Sequence, residues 1–271
     1  IDCVFSNNTA TYSGGALHLQ GTLQVYGSTF LANRAGIDVS GQTNAFGTSL
    51  GGAIDSAFGS FKAVNSTFFG NQAANGQGGA ISLHGYNQAV PLISGCTLVS
   101  NLADFSGGGL DVGENLNQVP RLYNSIVCGN VSPTNANVNL YTNAENPFLS
   151  SALVISNSLV DVGVMDIFAT GLPANHGGPT PTLALNPAGP AINAGNNALI
   201  PAGTTTDQRG LARINTGTVD IGAYEFQFAP LAFTSQDQAT FMVGLNGTFN
   251  VTLAGNPAPA LLASGSLPAG V

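Results

Sequence analysis

The chain has 271 residues, 44% of them hydrophobic, enough to bury a large core in one elongated domain or two modules. Only 7% are charged, against a usual ~25%, and 5 basic residues against 13 acidic ones leave a net charge of -8. That balance argues against nucleic acid, whose phosphates need a basic footprint, and against an anionic membrane surface. The ~18-residue apolar run of a spanning helix is absent, so no membrane span is expected.

The chain opens at Cys3-Val4-Phe5-Ser6-Asn7-Asn8, the first of five copies of Ser/Cys-x-apolar-x-x-Asn; the others end at Asn33, Asn71, Asn101 and Asn130. Its first residue is Ile, already inside a repeat, which reads as a processed or incomplete N-terminus. A second signal alternates with the first: Gly14-Gly15-Ala16-Leu17, Gly51-Gly52-Ala53-Ile54, Gly78-Gly79-Ala80-Ile81 and Gly107-Gly108-Gly109-Leu110. The asparagines are 25, 38, 30 and 29 residues apart, a period that means stacked supersecondary units. Apolar residues alternate with polar ones, so each unit is strand-like, and Gly and Asn supply its corners.

Three inward columns follow from this register. They are Leu17, Ile54, Ile81, Leu110; then Val25, Ala63, Ile93, Leu122, Ile155; then Phe5, Phe30, Phe68, Leu98, Val127. Stacking at ~4.8 Å turns Asn8, Asn33, Asn71, Asn101 and Asn130 into an asparagine ladder, and the small Ser/Cys column gives the corner room. A β-sandwich with turn asparagines is the competing reading, which five in-register copies disfavour. Residues 34–50 form the longest excursion between an asparagine and the next Gly-Gly-Ala, and are read as a polar flap or, alternatively, a binding loop. Strands restart at Val138 to Tyr141, at Ala152 to Ile155 and at Ser158 to Val160, where Gly163 replaces the ladder asparagine.

Phe-x-x-Asn paired with Gly-Gly-Ala-Ile/Leu resembles the repeat of bacterial polymorphic outer membrane proteins. Phe5 to Asn8, Phe30 to Asn33 and Phe68 to Asn71 match it fully, whereas Leu98 and Val127 keep an apolar but not an aromatic wedge. The resemblance covers about residues 1–130. It implies a right-handed parallel β-helix, an all-β solenoid, displayed outside the cell, and the solenoid is expected over 1–170.

Residues 171–228 change character. Leu172 to Thr182 is dense in Gly and Pro, and is followed by Pro190-Ala191-Ile192-Asn193-Ala194-Gly195, Asp207-Gln208-Arg209-Gly210, and Val219 to Glu225. This order resembles the C-terminal cap of the choice-of-anchor Q family of secreted bacterial β-helix proteins. Asp207, Arg209, Arg213, Asp220 and Glu225 concentrate charge in a chain poor in it, and are expected to form ion pairs that fix the cap. Residues 229–271 resemble part of an immunoglobulin-like module, with short strands at Phe241 to Gly244, Thr248 to Leu253 and Leu261-Leu262, and a close at Ser266 to Val271. Half a sandwich leaves an unpaired edge, so either the chain continues or another subunit completes the sheet.

Cys3 and Cys96 share a column ~14 Å apart by strand spacing, and Cys128 points elsewhere, so all three are expected to be free. The outward residues of the Gly-Gly-Ala strands are His18, Asp55, Ser82 and Asp111. Asp55 and Asp111, ~9.6 Å apart by strand spacing with Asp104 and Glu114 nearby, would suit a polysaccharide lyase or glycoside hydrolase. The competing reading is a solvated polar column, and the absence of Trp and the single lysine, Lys62, favour it. His84 and His176 have no zinc-type partner spacing, and no calcium loop, nucleophile elbow or phosphate loop occurs. The chain is therefore read as an extracellular structural or adhesive surface protein, not an enzyme, with no cofactor or metal. Its partners are further copies assembling head-to-tail into a fibre, or a surface glycan or host receptor.

Overall fold

The computed structural model of the chain describes residues 1–38, 40–43, 48–113, 116–133, 140–142, 153–242, 244–245 and 247–260. Glu114, Val138, Asn139, Ala152, Leu261-Leu262 and Ser266 to Val271 lie outside the described residues, as does part of the 34–50 excursion. The chain divides into two units, Ile1–Phe226 and Gln227–Val271.

The first unit is a parallel β-solenoid. One sheet takes a Phe-x-x-Asn strand from each rung, in the order Val4–Ser6, Thr29–Leu31, Thr67–Phe69, Thr97–Val99, Ile126–Cys128 and Leu159–Val160. A second, eight-stranded sheet is built on Leu17–Tyr26 and Ile54–Val64, and continues through Ile81–Asn87 with Leu110–Val112 and Leu140–Thr142, and through Leu92–Ser94 with Arg121–Tyr123 and Val154–Ser156. A third joins Thr9–Ala10, Arg34–Ala35, Gln72–Ala73 and Leu102–Ala103.

Register places like residues directly over one another. Leu17, Ile54, Ile81 and Leu110 pair in succession, as do Val25, Ala63, Ile93, Leu122 and Ile155. Phe5, Phe30, Phe68, Leu98 and Val127 form the third column. Its rings lie nearly parallel with centroids 4.8 Å apart, at 7° for Phe5–Phe30 and 5° for Phe30–Phe68. The three columns meet in one core cluster, except for Ile155, expected to face inward but 46% exposed; each rung buries its apolar face only where a neighbour covers it.

The corners explain the small and polar residues. Asp2, Gly27, Asn65, Gly95, Asn124 and Asn157 immediately precede the Ser/Cys position and all have φ between 46° and 61°. Gly, Asn and Asp tolerate this left-handed region best. The Gly-Gly pairs at 14–15, 51–52 and 78–79 are demanded twice over. Gly51 has a φ of 64°, and a Cβ on Gly52 would collide with the carbonyl oxygen of Gly79 in the next rung.

The segment expected to cap the solenoid lies along its side. After a short helix, Val164–Ile167, the chain runs back over the outer face of the Phe-x-x-Asn sheet. Ile167, Phe168, Leu183, Leu185, Ala191 and Ile221 pack against Val99, Ile126 and Cys128 in a second cluster. Asn196 N bonds Oδ1 of Asn124, Ser94 Oγ reaches the Leu199 carbonyl, and Asn65 Nδ2 donates to the Thr206 carbonyl. Gln208 Nε2 then donates to Thr29 Oγ1, and its Oε1 accepts from Thr67 Oγ1. The signal for this was in the strands: Thr67-Phe68-Phe69, Thr97-Leu98-Val99 and Ile126-Val127-Cys128 are apolar on both sides, as in sheets covered on both faces. Cys96 and Cys128 are buried and Cys3 exposed, all three free.

In the second unit Ala229–Phe233 pairs antiparallel with Leu253–Asn256. Of the strands expected at Phe241 to Gly244 and at Thr248 to Leu253, only Leu253 lies in a strand among the described residues, and every residue of Ala229–Phe233 is exposed.

Candidate functional site

The five asparagines stand in single file. Asn33 donates through both its backbone N and its Nδ2 to Oδ1 of Asn71, at 3.0 and 2.9 Å. Asn71 does the same to Asn101 and Asn101 to Asn130, and Asn8 opens the series on Asn33. The same amides also donate to the carbonyls of the preceding rung, Asn71 to Phe30 and Asn101 to Phe68. The corner hydroxyls form a parallel series: Ser28 N donates to Ser66 Oγ and Cys96 N to Ser125 Oγ. Every ladder side chain from Asn33 to Asn130 is buried, so each hydrogen bond replaces one that water would otherwise supply.

The charged residues of the flank are all buried too. Arg209 pairs with Asp207 at 2.7 Å, donates to the Glu225 carbonyl and lies 3.5 Å over the Tyr224 ring. Arg213 pairs with Glu225 at 3.2 Å and bonds the Gly222 carbonyl. Asp220 is held by backbone donors, the N–H groups of Asn193 and Phe226, each at 2.6 Å. Burial, reinforced by the nearby charge of Asp220, pushes the Glu225 carboxyl up to about 7. Burial likewise raises Asp220 and lowers Arg213. Three carboxyls surround two guanidiniums, so the cluster holds one more acidic group than basic ones.

The outward column of the Gly-Gly-Ala strands begins at an exposed residue, His18, and is buried at Asp55, Ser82 and Asp111, where a solvated column is the competing expectation. His18, Asp55, Ser82 and Asp111 are in register on successive strands. Asp55 is 1% exposed: His18 Nδ1 sits 2.8 Å from one of its oxygens and His84 Nε2 2.7 Å from the other. The hydrogen bond to Asp55 raises His84 above the usual imidazole range against a smaller opposing effect of burial. Ser82 Oγ donates to Oδ2 of Asp111 at 3.2 Å, while Oδ1 of Asp111 is buried with no hydrogen-bond partner. Burial pushes the Asp111 carboxyl up to about 7. Asp55 and Asp111 are thus unlike one another: one is held between two imidazoles, the other half satisfied. Sequence reasoning set His84 aside as isolated, although its place two residues after Ser82 put it on the same face. Asp104 lies apart from this network, accepting from the backbone N–H of Asn75.

A bulge completes the site. Between Ala57 and Gly59 the pairing with Leu17–Tyr26 slips by one residue, and the extra residue is Phe58; against Ile81–Asn87 the extra residue lies on that strand instead, between His84 and Asn87. Its φ is 56°, a costly value for an aromatic residue; it is 50% exposed, and its ring lies steeply inclined to that of His84, at 68°. Phe58, Ser82, His84 and Asp111, with Leu50 and Gln77, line a cleft of about 250 Å³. Among the described residues no group of three metal-ligating side chains occurs.

Residues 2–20 and 65–83 match the Chlamydia polymorphic membrane protein repeat. Those two stretches of the chain are similar to that repeat. Each runs from a Phe-x-x-Asn strand through its ladder asparagine to the start of a Gly-Gly-Ala strand, and the second ends at Leu83, within the cleft-forming strand. No curated protein and no solved structure matches the chain. No helix among the described residues is long and apolar enough to cross a membrane.

Proposed function

We propose that this chain is an extracellular, surface-displayed protein with a structural and adhesive role, and not an enzyme. The observation that carries the reading is the repeat match on residues 2–20 and 65–83, which fall on equivalent parts of stacked rungs. In this reading the solenoid is right-handed, as in the proteins it resembles. Residues 171–228 act as its cap from the side, and residues 229–271 contribute immunoglobulin-like strands. Further copies, a surface glycan or a host receptor are the partners. The polar but nearly uncharged composition supports display outside the cell, since 7% charge leaves Asn, Ser, Thr and Gly to cover the rungs.

Protease shaving of intact cells that produce the native protein tests the localisation. Loss of the protein from unbroken cells is expected, and protection until lysis overturns the reading. Self-association into fibres is tested by electron microscopy of the purified chain beside one ending at Glu225. Filaments of the full chain alone support tail-mediated assembly; dispersed particles from both remove it. The competing assignment, a polysaccharide lyase or glycoside hydrolase through Asp55 and Asp111, requires cleavage that Asp111→Asn abolishes.

A further inference from the structure

The cleft over Ile81–Asn87 and Leu110–Val112 combines features that the solenoid itself does not need. A stacked rung gains nothing from a half-exposed phenylalanine in a left-handed conformation. Bulges re-aim side chains, and strain of this kind persists where the surroundings hold it in place. Here Gly85, with a φ of 78°, makes the room: a Cβ there would stand 2.8 Å from the Phe58 ring. Nor does the rung gain from burying Oδ1 of Asp111 without a partner, since an unsatisfied buried acceptor forfeits the hydrogen bonds that water would supply.

The lining selects the chemistry of an occupant. Among the described residues no lysine or arginine borders the cleft, and its one basic side chain, His84, already pairs with Asp55, so an anion finds no free counter-charge. His84 is engaged by Asp55, and among the described residues there is no cluster of metal-ligating side chains, so a cation is not favoured. What remains is one aromatic ring, the amide of Gln77 and the carboxyl of Asp111, whose Oδ1 has no partner. An occupant that matches these is flat and apolar on one side and rich in hydroxyls at its edge. Sugar rings have that form, and the cleft volume suits a single ring rather than a chain.

We propose that the cleft formed by Phe58, Gln77, Ser82, His84 and Asp111 binds one ring of a neutral saccharide, Phe58 covering its apolar face and Asp111 bonding a hydroxyl. The Asp111 carboxyl turns easily about its Cβ–Cγ bond, a broad torsion, and so exchanges its two oxygens at the cleft wall. This deepens the adhesive reading above and rests on it only for the source of the sugar. The binding itself is read on purified protein, so it succeeds or fails independently of where the cell places the chain.

The test is saturation-transfer NMR on the full chain with the methyl glycosides of glucose, galactose, mannose and N-acetylglucosamine, with galacturonic acid as the anionic comparison. At least one neutral glycoside is expected to receive transfer at millimolar concentration, and the signal is expected to fall at least about fivefold in Phe58→Gly and in Asp111→Asn. Phe58→Gly keeps the test decisive if the buried variant folds poorly, because glycine suits the bulge backbone and removes only the ring. No transfer to any neutral glycoside at about 20 mM, unchanged transfer in Phe58→Gly, or preference for galacturonic acid would each overturn the proposal.

Discussion

The interior of the solenoid and its flank are held by opposite means. Inside, one contact is repeated: phenylalanine on phenylalanine at 4.8 Å, asparagine on asparagine at 2.8–2.9 Å between side chains. On the flank nothing repeats, and five buried charges each have a different set of partners. Repetition distributes stability over many equivalent contacts, so each rung supports the next. The flank concentrates its stability in one charged cluster that has no copy elsewhere, and its ion pairs are sound only while every member is present.

The largest effect should come from breaking the ladder in the middle. Asn71→Ala leaves the backbone N of Asn33 without an acceptor, removes one of the two acceptors of its Nδ2, and deprives the Phe30 carbonyl of its side-chain donor, all buried. A loss of about 4 kcal/mol is expected in urea unfolding, against less than about 1 kcal/mol for Asn8→Ala at the exposed start of the file. Similar losses at the two positions would show that the ladder is ornament and the apolar columns carry the stack.

Arg213→Met should cost about 3–4 kcal/mol, because it strands Glu225 in the interior. Its effect should be local: amide exchange should rise across residues 196–225 and not in the Phe-x-x-Asn strands. Uniform deprotection of both would mean that flank and interior unfold as one.

Smaller again is the response to pH. Glu225 and Asp111 are carboxyls raised to about 7 by burial, so the folded chain binds protons more tightly than the unfolded one between the ordinary carboxylate value and neutrality. Their stability is present at acid pH and is lost as pH rises through about 7. His84, raised by its bond to Asp55, works in the same direction, since its contribution holds below the ordinary imidazole value and fades above the raised one. The melting temperature should therefore drop by several degrees from about pH 5.5 to about pH 8. Glu225→Gln should flatten part of that slope, and a rise in melting temperature with pH would contradict the cluster's charge balance. The smallest effect, and the one of opposite sign, is Phe58→Gly: removing a non-glycine residue from φ 56° should stabilise the chain by about 1 kcal/mol.

The interior was legible in the sequence because period and register leave little freedom there. Five asparagines and three apolar columns place themselves once the repeat is seen. The flank was half legible: Asp207, Arg209, Arg213, Asp220 and Glu225 announced themselves by their rarity, but not where they would lie. That information was in the outward residues Phe69, Val99, Ile126 and Cys128, whose apolar character demanded a cover. The cleft was least legible. Asp55 and Asp111 were visible as a column, yet His84 joined them through a face shared at a spacing of two, and Phe58 entered through a slipped pairing that no repeat count reveals.

The flank has one more consequence. Between Asn196 and Gln208 it touches the corners or strands of four successive rungs, at Asn124, Ser94, Asn65 and Thr29. It is thus a ruler laid along the stack, with marks at fixed intervals. A solenoid can gain or lose a whole unit by duplication without disturbing its neighbours' register, but a ruler of set length cannot follow. In this molecule the number of turns between Gly27 and Asn124 is measured by the chain itself.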